Sequence, residues 1–156
     1  MEDIIMKWWT ELSDDNNKGA CAELRRALNP DQVYYHSFFH RLRKRLPNKD
    51  EEKLALVAGL CSHIKEDTGK SLGSTLAAGE RPLMSEARFK RLLSLSEDDP
   101  EKLYRELVRI IKLSAYKLPV HDLIKKAYYW NDKTKRDLAK DYYTTITHST
   151  TSEEVN

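Results

Sequence analysis

The chain has 156 residues, five Gly and five Pro, 40% apolar and 33% charged residues, and a formal net charge of +2. That is one domain's worth of chain, or two small ones, and enough to bury roughly two thirds of the unfolded surface. The composition excludes collagen-like, low-complexity and wholly disordered classes. No window approaches the roughly 18 consecutive apolar residues of a membrane span, and no membrane partner is expected. The opening MEDIIMKWW is acidic before its apolar residues and lacks a small-residue cleavage site, so it is not expected to be a secretory signal. Cys21 and Cys61 form no CxxC motif, which fits a reducing, cytoplasmic setting without disulfides.

Charge is unevenly distributed. Residues 1–17 carry five acids and one base, whereas residues 18–49 carry eight bases and two acids. A nearly neutral protein can therefore still present a basic face to a polyanion.

Taken in chain order, the periodicity is helical. Ile5, Trp8, Trp9 and Leu12 make an amphipathic stripe. After Asp14–Gly19, a short helix carries Cys21, Leu24 and Leu28, with Arg25 and Arg26 beside them, and Asn29-Pro30-Asp31 is read as its end. Tyr35, Phe38, Phe39, Leu42 and Leu46 form the next stripe. Asp50 caps a helix with the core face Leu54, Val57, Leu60, Cys61 and Ile64. A polar loop, Asp67–Gly73, leads to a short apolar turn at Leu76 and Ala77. Ser85 caps a helix bearing Phe89, Leu92 and Leu93. Asp99-Pro100 starts one bearing Leu103, Leu107, Ile110 and Ile111. Leu118-Pro119 opens the next, with Leu123, Ile124, Ala127 and Tyr128. Asn131-Asp132 opens the last, with Leu138, Tyr142, Tyr143 and Ile146.

No alternating window suggests a strand. The expected fold is all-α, a compact bundle of about seven to nine short helices, with residues 1–147 as one domain and 148–156 as a flexible polar tail. The weakly periodic stretch 67–84 is where two helical subdomains would divide.

Catalytic signatures are thin. Gly69-Lys70-Ser71 resembles the end of a phosphate-binding loop, but position 64 is Ile rather than Gly and a helix precedes it. The alternative for Lys70 is a loop lysine, solvated or set against a nucleic-acid phosphate. His36 and His40 share a helix face without a third metal ligand at a useful spacing, and edge an aromatic core instead. Asp122 beside His121 lies in a first helical turn, where a capping role suffices. No enzyme activity, metal or cofactor is expected. The doubled aromatics place one ring inward, leaving outer rings such as Trp9 or Tyr129 for a partner protein.

The cations are the informative set. Arg41–Arg45 is a dense basic run. Arg105, Arg109 and Lys112 share one helical stripe, and Arg88 with Arg91, and Lys133, Lys135 and Arg136, add further short runs. Such stripes suit recognition of phosphate backbones irrespective of sequence.

At this point the chain resembles the CasB family, the small subunits of the type I-E CRISPR surveillance complex Cascade. The resemblance runs over residues 5–146 and rests on an ordered series of segments. These are Trp8-Trp9, Cys21–Ala27, Gly69–Gly73, Ala77–Arg81, Ser85–Phe89, Leu107–Ile111, Leu118-Pro119 and Leu138–Tyr143. It implies an all-helical, non-enzymatic protein, present as two neighbouring copies among other Cascade subunits. The copies would hold the guide RNA–target DNA hybrid and the displaced strand. Onto the family's basic positions fall Arg26, Arg81, Arg88, Arg109, Lys133 and Lys135; at position 74, where a relative often carries Arg, this chain has Ser74. Charge and resemblance together select Arg25, Arg26, Lys70, Arg81, Arg88, Arg91, Arg109, Lys112, Lys133, Lys135 and Arg136 as expected backbone contacts. The alternative is a helical protein–protein adaptor whose basic face is merely solvated.

Overall fold

In the computed structural model, residues 1–146 are described in full and residues 147–155 by their backbone alone. The expected tail over 148–156 lies outside the fully described residues. Among the described residues ten α-helices follow in order: α1 (Glu2–Leu12), α2 (Lys18–Arg25), α3 (Pro30–Val33), α4 (Ser37–Arg45), α5 (Glu51–Cys61), α6 (Leu72–Ala77), α7 (Glu86–Leu93), α8 (Pro100–Leu113), α9 (Val120–Tyr128) and α10 (Asp132–Val155). Ten is one more than expected, and the two not read as helices, α3 and α6, are short. Asn29-Pro30 proves to be a start rather than a stop: the Asn29 side chain accepts from Gln32 N and Pro30 occupies the first turn of α3. The apolar turn at Leu76 is α6, capped by Ser71.

Helix α5 is the axle. All residues from Leu54 to Cys61 are buried, as expected of a helix apolar on every side. It packs against α1, α2, α3, α4, α8 and α9. Its Asp50 cap accepts from Lys53 N at 3.0 Å, and Glu51 and Glu52 favour the positive end of the helix dipole.

Helices α6, α7 and α10 form a second group. Phe89 stacks on Tyr142 with ring centroids 3.9 Å apart, and the Tyr142 hydroxyl donates to Met84 O at 2.7 Å. Leu72, Leu76, Phe89, Leu138 and Tyr142 nevertheless belong to the same continuous buried cluster as α5. Asp122 couples the groups by accepting from Leu72 N at the start of α6 while pairing with Lys126, both contacts at 2.6 Å.

Two residues each of β1 (Glu66–Asp67) and β2 (Lys117–Leu118) pair in parallel, Glu66 with Lys117 and Asp67 with Leu118. Sequence periodicity has no purchase on so short a pair. It fixes the chain just after α8, where Ala115 and Tyr116 adopt left-handed backbone with φ of 57° and 66°, a conformation costly for residues with a β-carbon. Asp67 then accepts from Val120 N at 3.0 Å, capping α9, whose own cap position is Pro119.

The Ser71-Leu72-Gly73 segment has three separable roles. Ser71 caps α6, Leu72 is fully buried, and Gly73 admits α10. A β-carbon at position 73 would stand 2.6 Å from Leu138 O and 2.7 Å from the Asp141 β-carbon. Replacing Gly73 with Ala is therefore expected to destabilise the protein by about 1–3 kcal/mol, the usual range for overpacking. Urea unfolding of the two proteins measures it.

Candidate nucleic-acid interface

Helix α8 organises the surface cations. Asp99 accepts from Lys102 N and Pro100 fills the first turn. Leu103, Tyr104, Leu107, Ile110 and Ile111 are buried. At 3.6 residues per turn, Lys102, Arg105, Arg109 and Lys112 then fall within an arc of about 80°, and all four are exposed.

Two clefts flank this stripe and share Arg109. The larger, about 510 Å³, has Met84, Leu95, Ile110 and Leu113 among its lining, with Arg88 and Arg91 from α7 facing Lys102 and Arg109 from α8. The smaller, about 350 Å³, lies between α2, the end of α5 and α8, lined by Arg25, Leu28, His63, Tyr104, Arg105, Val108, Arg109 and Lys112. A third cleft, about 390 Å³, has the opposite character: Asp50, Glu52, Glu97 and Asp98 face Lys53.

Most of the clustered cations are unspent. Among the described residues, Arg25, Arg88, Arg91, Lys102, Arg105 and Lys112 make no ion pair; Arg109 pairs with Glu106 of its own helix at 3.1 Å while remaining two-thirds exposed. An exposed pair of this kind is worth about 0.2–0.5 kcal/mol. A charge-assisted hydrogen bond to phosphate is worth about 1.5–3 kcal/mol, so Glu106 does not hold Arg109 back.

The structure thus brings together Arg25, Arg88, Arg91, Arg109 and Lys112 of the expected set. It adds Lys102, which extends the stripe by one turn and is legible from spacing, and Arg105 of the same stripe. The others line neither basic cleft. Arg26 is exposed at the end of α2, Lys70 in the loop before α6, and Arg81 in the loop after it. Lys133 and Arg136 are exposed in the first turns of α10, and Lys135 lies 5.7 Å from the Trp130 ring centroid.

The basic run of α4 is largely engaged within the fold. Arg45 bonds Glu11 at 2.8 Å, Arg41 lies 4.6 Å over the Phe38 ring, and Arg43 is 3.9 Å from Glu51. Arg43 Nε also donates to His40 Nδ1 at 3.1 Å. That fixes the His40 proton on Nε2, which donates to Tyr34 O at 2.8 Å. Both ring nitrogens are thereby occupied. Among the described residues no group of three His, Cys, Asp or Glu is placed to hold a metal ion.

Comparison with known proteins identifies the lineage. The family described as CRISPR-associated protein Cse2 matches residues 20–143. The chain belongs to the Cse2 family. The match runs from within α2 to Tyr143 of α10 and includes every clustered cation. A solved relative is a chain in the crystal structure of E. coli Cascade bound to a PAM-containing dsDNA target. It is 22% identical, with a TM-score of 0.73, covering 92% of this chain and 96% of that one. At that identity the likeness speaks for the fold. No curated protein sequence matches the chain significantly.

Within this Cse2-family fold, His63 carries no sequence signal and is found only by structure. It is 8% exposed, and its Nε2 has no hydrogen-bond partner. Burial first, then the charges of Lys112 and Arg25, push its pKa down to about 4. The ring is neutral at pH 7. An unfolded chain takes up this proton near pH 6.5. Between those values the unfolded state binds more protons, so His63 removes stability as pH falls from about 6.5 towards 4. In urea unfolding, His63→Leu is expected to lose about 3 kcal/mol less than the wild type between pH 7 and pH 4.

Proposed function

We propose that this Cse2-family protein is a non-catalytic subunit of a type I-E Cascade complex that grips nucleic-acid backbones in CRISPR defence. The observation that carries the reading is the pair of basic clefts joined at Arg109, with cations from α2, α7 and α8 facing outward together. The related E. coli chain comes from a Cascade particle bound to double-stranded DNA, which supports the same partners here. These are guide RNA, target DNA, other Cascade subunits and a second copy of this chain. The acting unit is the helical domain over 1–147, and the setting is the cytoplasm.

The mechanism is electrostatic. Arg and Lys neutralise phosphates and release condensed counterions, which favours the opened duplex without reading bases. Arg presents paired donors to phosphate oxygens, so the arginines at 25, 88, 91, 105 and 109 also impose geometry. Apolar residues between them, Leu113 at 46% exposed and Leu28 at 73%, offer surface to sugars and bases. Pairing with the guide RNA would choose the sequence, leaving the protein to hold backbone and shape.

Binding of mixed-sequence single-stranded DNA, followed by fluorescence anisotropy across a salt series, tests this. Each lost phosphate contact lowers the slope of log K against log salt by about 0.7. Joint replacement of Arg88 and Arg91 by Ala is expected to weaken binding and flatten the slope by about 1.4, while particle assembly persists. Lost assembly with unchanged DNA affinity would support the adaptor reading instead.

A further inference from the structure

The larger cleft is not uniform in character. Met84, Leu95 and Ile110 line it and are no more than 7% exposed, so it bottoms on apolar atoms. Leu113, nearly half exposed, extends that apolar surface outward. Arg88, Arg91, Lys102 and Arg109 stand exposed around it. Among the described residues the lining holds one carboxylate, Glu106, half-buried on the α8 face that also carries Lys102 and Arg109. A carboxylate repels phosphate, and apolar atoms give phosphate no donor. The same surroundings suit a flat, neutral group with N–H donors on its edge. We propose that the cleft between α7 and α8 takes one unpaired, unstacked nucleobase of the bound strand, with Glu106 accepting from its exocyclic amine and the surrounding cations holding the flanking phosphates. This rests on the nucleic-acid reading above and adds to it a ligand group and a selectivity that backbone contacts do not supply.

Size and charge agree with a base. The cleft encloses about 510 Å³, within the roughly 300–1,000 Å³ of small-molecule sites. Without a ligand, Glu106 pairs with Arg109 at 3.1 Å. When Arg109 turns to a phosphate, the Glu106 oxygen loses that donor and becomes free to accept from the base. The phosphate contact and the base contact therefore favour each other. In a duplex, neighbouring pairs cover the faces of a base and its partner occupies the pairing edge. A single strand alone offers both to the cleft. Cytosine carries an N4 amine, whereas thymine has its O4 acceptor at the corresponding place, which a carboxylate repels.

The test is fluorescence anisotropy of the full chain with three labelled strands of equal length across a salt series, at a slightly alkaline pH where cytosine is uncharged. The strands are oligo-dC, oligo-dT and an abasic strand with the same phosphates. Oligo-dC is expected to bind about tenfold more tightly than oligo-dT, the worth of one hydrogen bond to a charged acceptor. It also binds more tightly than the abasic strand, while the salt slope is the same for all three because the phosphate contacts are shared. Glu106→Gln brings oligo-dC and oligo-dT to within about twofold, since an amide can turn its oxygen to cytosine or its NH₂ to thymine. Gln forms helix as readily as Glu, so the fold is kept. Leu113→Ser weakens oligo-dC about threefold through lost apolar contact and leaves the abasic strand unchanged.

Equal binding of oligo-dC and the abasic strand, with an ordinary salt slope, overturns the base seat and leaves the backbone reading standing. A preference for oligo-dC that survives in Glu106→Gln overturns the role of Glu106. Absence of salt-dependent binding to all three strands overturns the backbone reading, and the base seat with it.

Discussion

Helix α8 lies against α5 so closely that a β-carbon at Gly59 would stand 2.7 Å from the Tyr104 ring. The Tyr104 hydroxyl reaches past α5 to donate to Ala27 O at 3.1 Å, tying in the end of α2. This contact fixes the rotation of α8 about its axis. Once Leu103, Tyr104, Leu107 and Ile111 are turned inward, Lys102, Arg105, Arg109 and Lys112 can only face out. The same contact brings Arg25 and His63 to one side of α8 and leaves the other side open to α7. Both basic clefts depend on it.

The distribution of partners among the cations separates fold from function more clearly than their number does. Arg41, Arg43 and Arg45 belong to the densest basic run in the chain. Yet Arg43 and Arg45 reach Glu51 of α5 and Glu11 of α1, which fastens α4 to its neighbours, and Arg41 lies over the Phe38 ring of its own helix. Lys126 is buried against Asp122. Among the described residues, Arg25, Arg88, Arg91, Lys102, Arg105 and Lys112 are left outward without an ion pair, Lys90 and Arg109 pair only with exposed or half-buried glutamates of their own helices, and the acidic cleft beside Trp130 holds the opposite potential. A polyanion approaching this protein meets a surface divided by sign, which orients it before any close contact forms.

Much of the fold is legible in the sequence because the long helices carry clean stripes and caps. Asp50, Ser85 and Asp99 each cap the helix that spacing assigns to them. Helix α3 is not legible, because Asn-Pro ends one helix and begins another with equal ease until the Asn29 side chain is seen to accept from Gln32 N. The β1–β2 pair is two residues long and exists through long-range contact alone. The candidate site is half legible. A helical stripe such as 105, 109 and 112 is a local property, so it can be written down from spacing. The meeting of that stripe with Arg25, Arg88 and Arg91 is tertiary, and His63 gains its meaning only from burial among cations.

If the free cations rather than the densest ones hold the ligand, nucleic acid runs along α8, between α7 and the end of α2, and not along the charges of α4. Ultraviolet cross-linking of the assembled particle to its RNA and DNA, with cross-linked peptides mapped by mass spectrometry, decides between the two paths. Cross-links are expected on peptides spanning Arg25–Leu28 and Arg88–Lys112. Cross-links confined to Arg41–Arg45 or to the first turns of α10, with those segments silent, would contradict the α8 path.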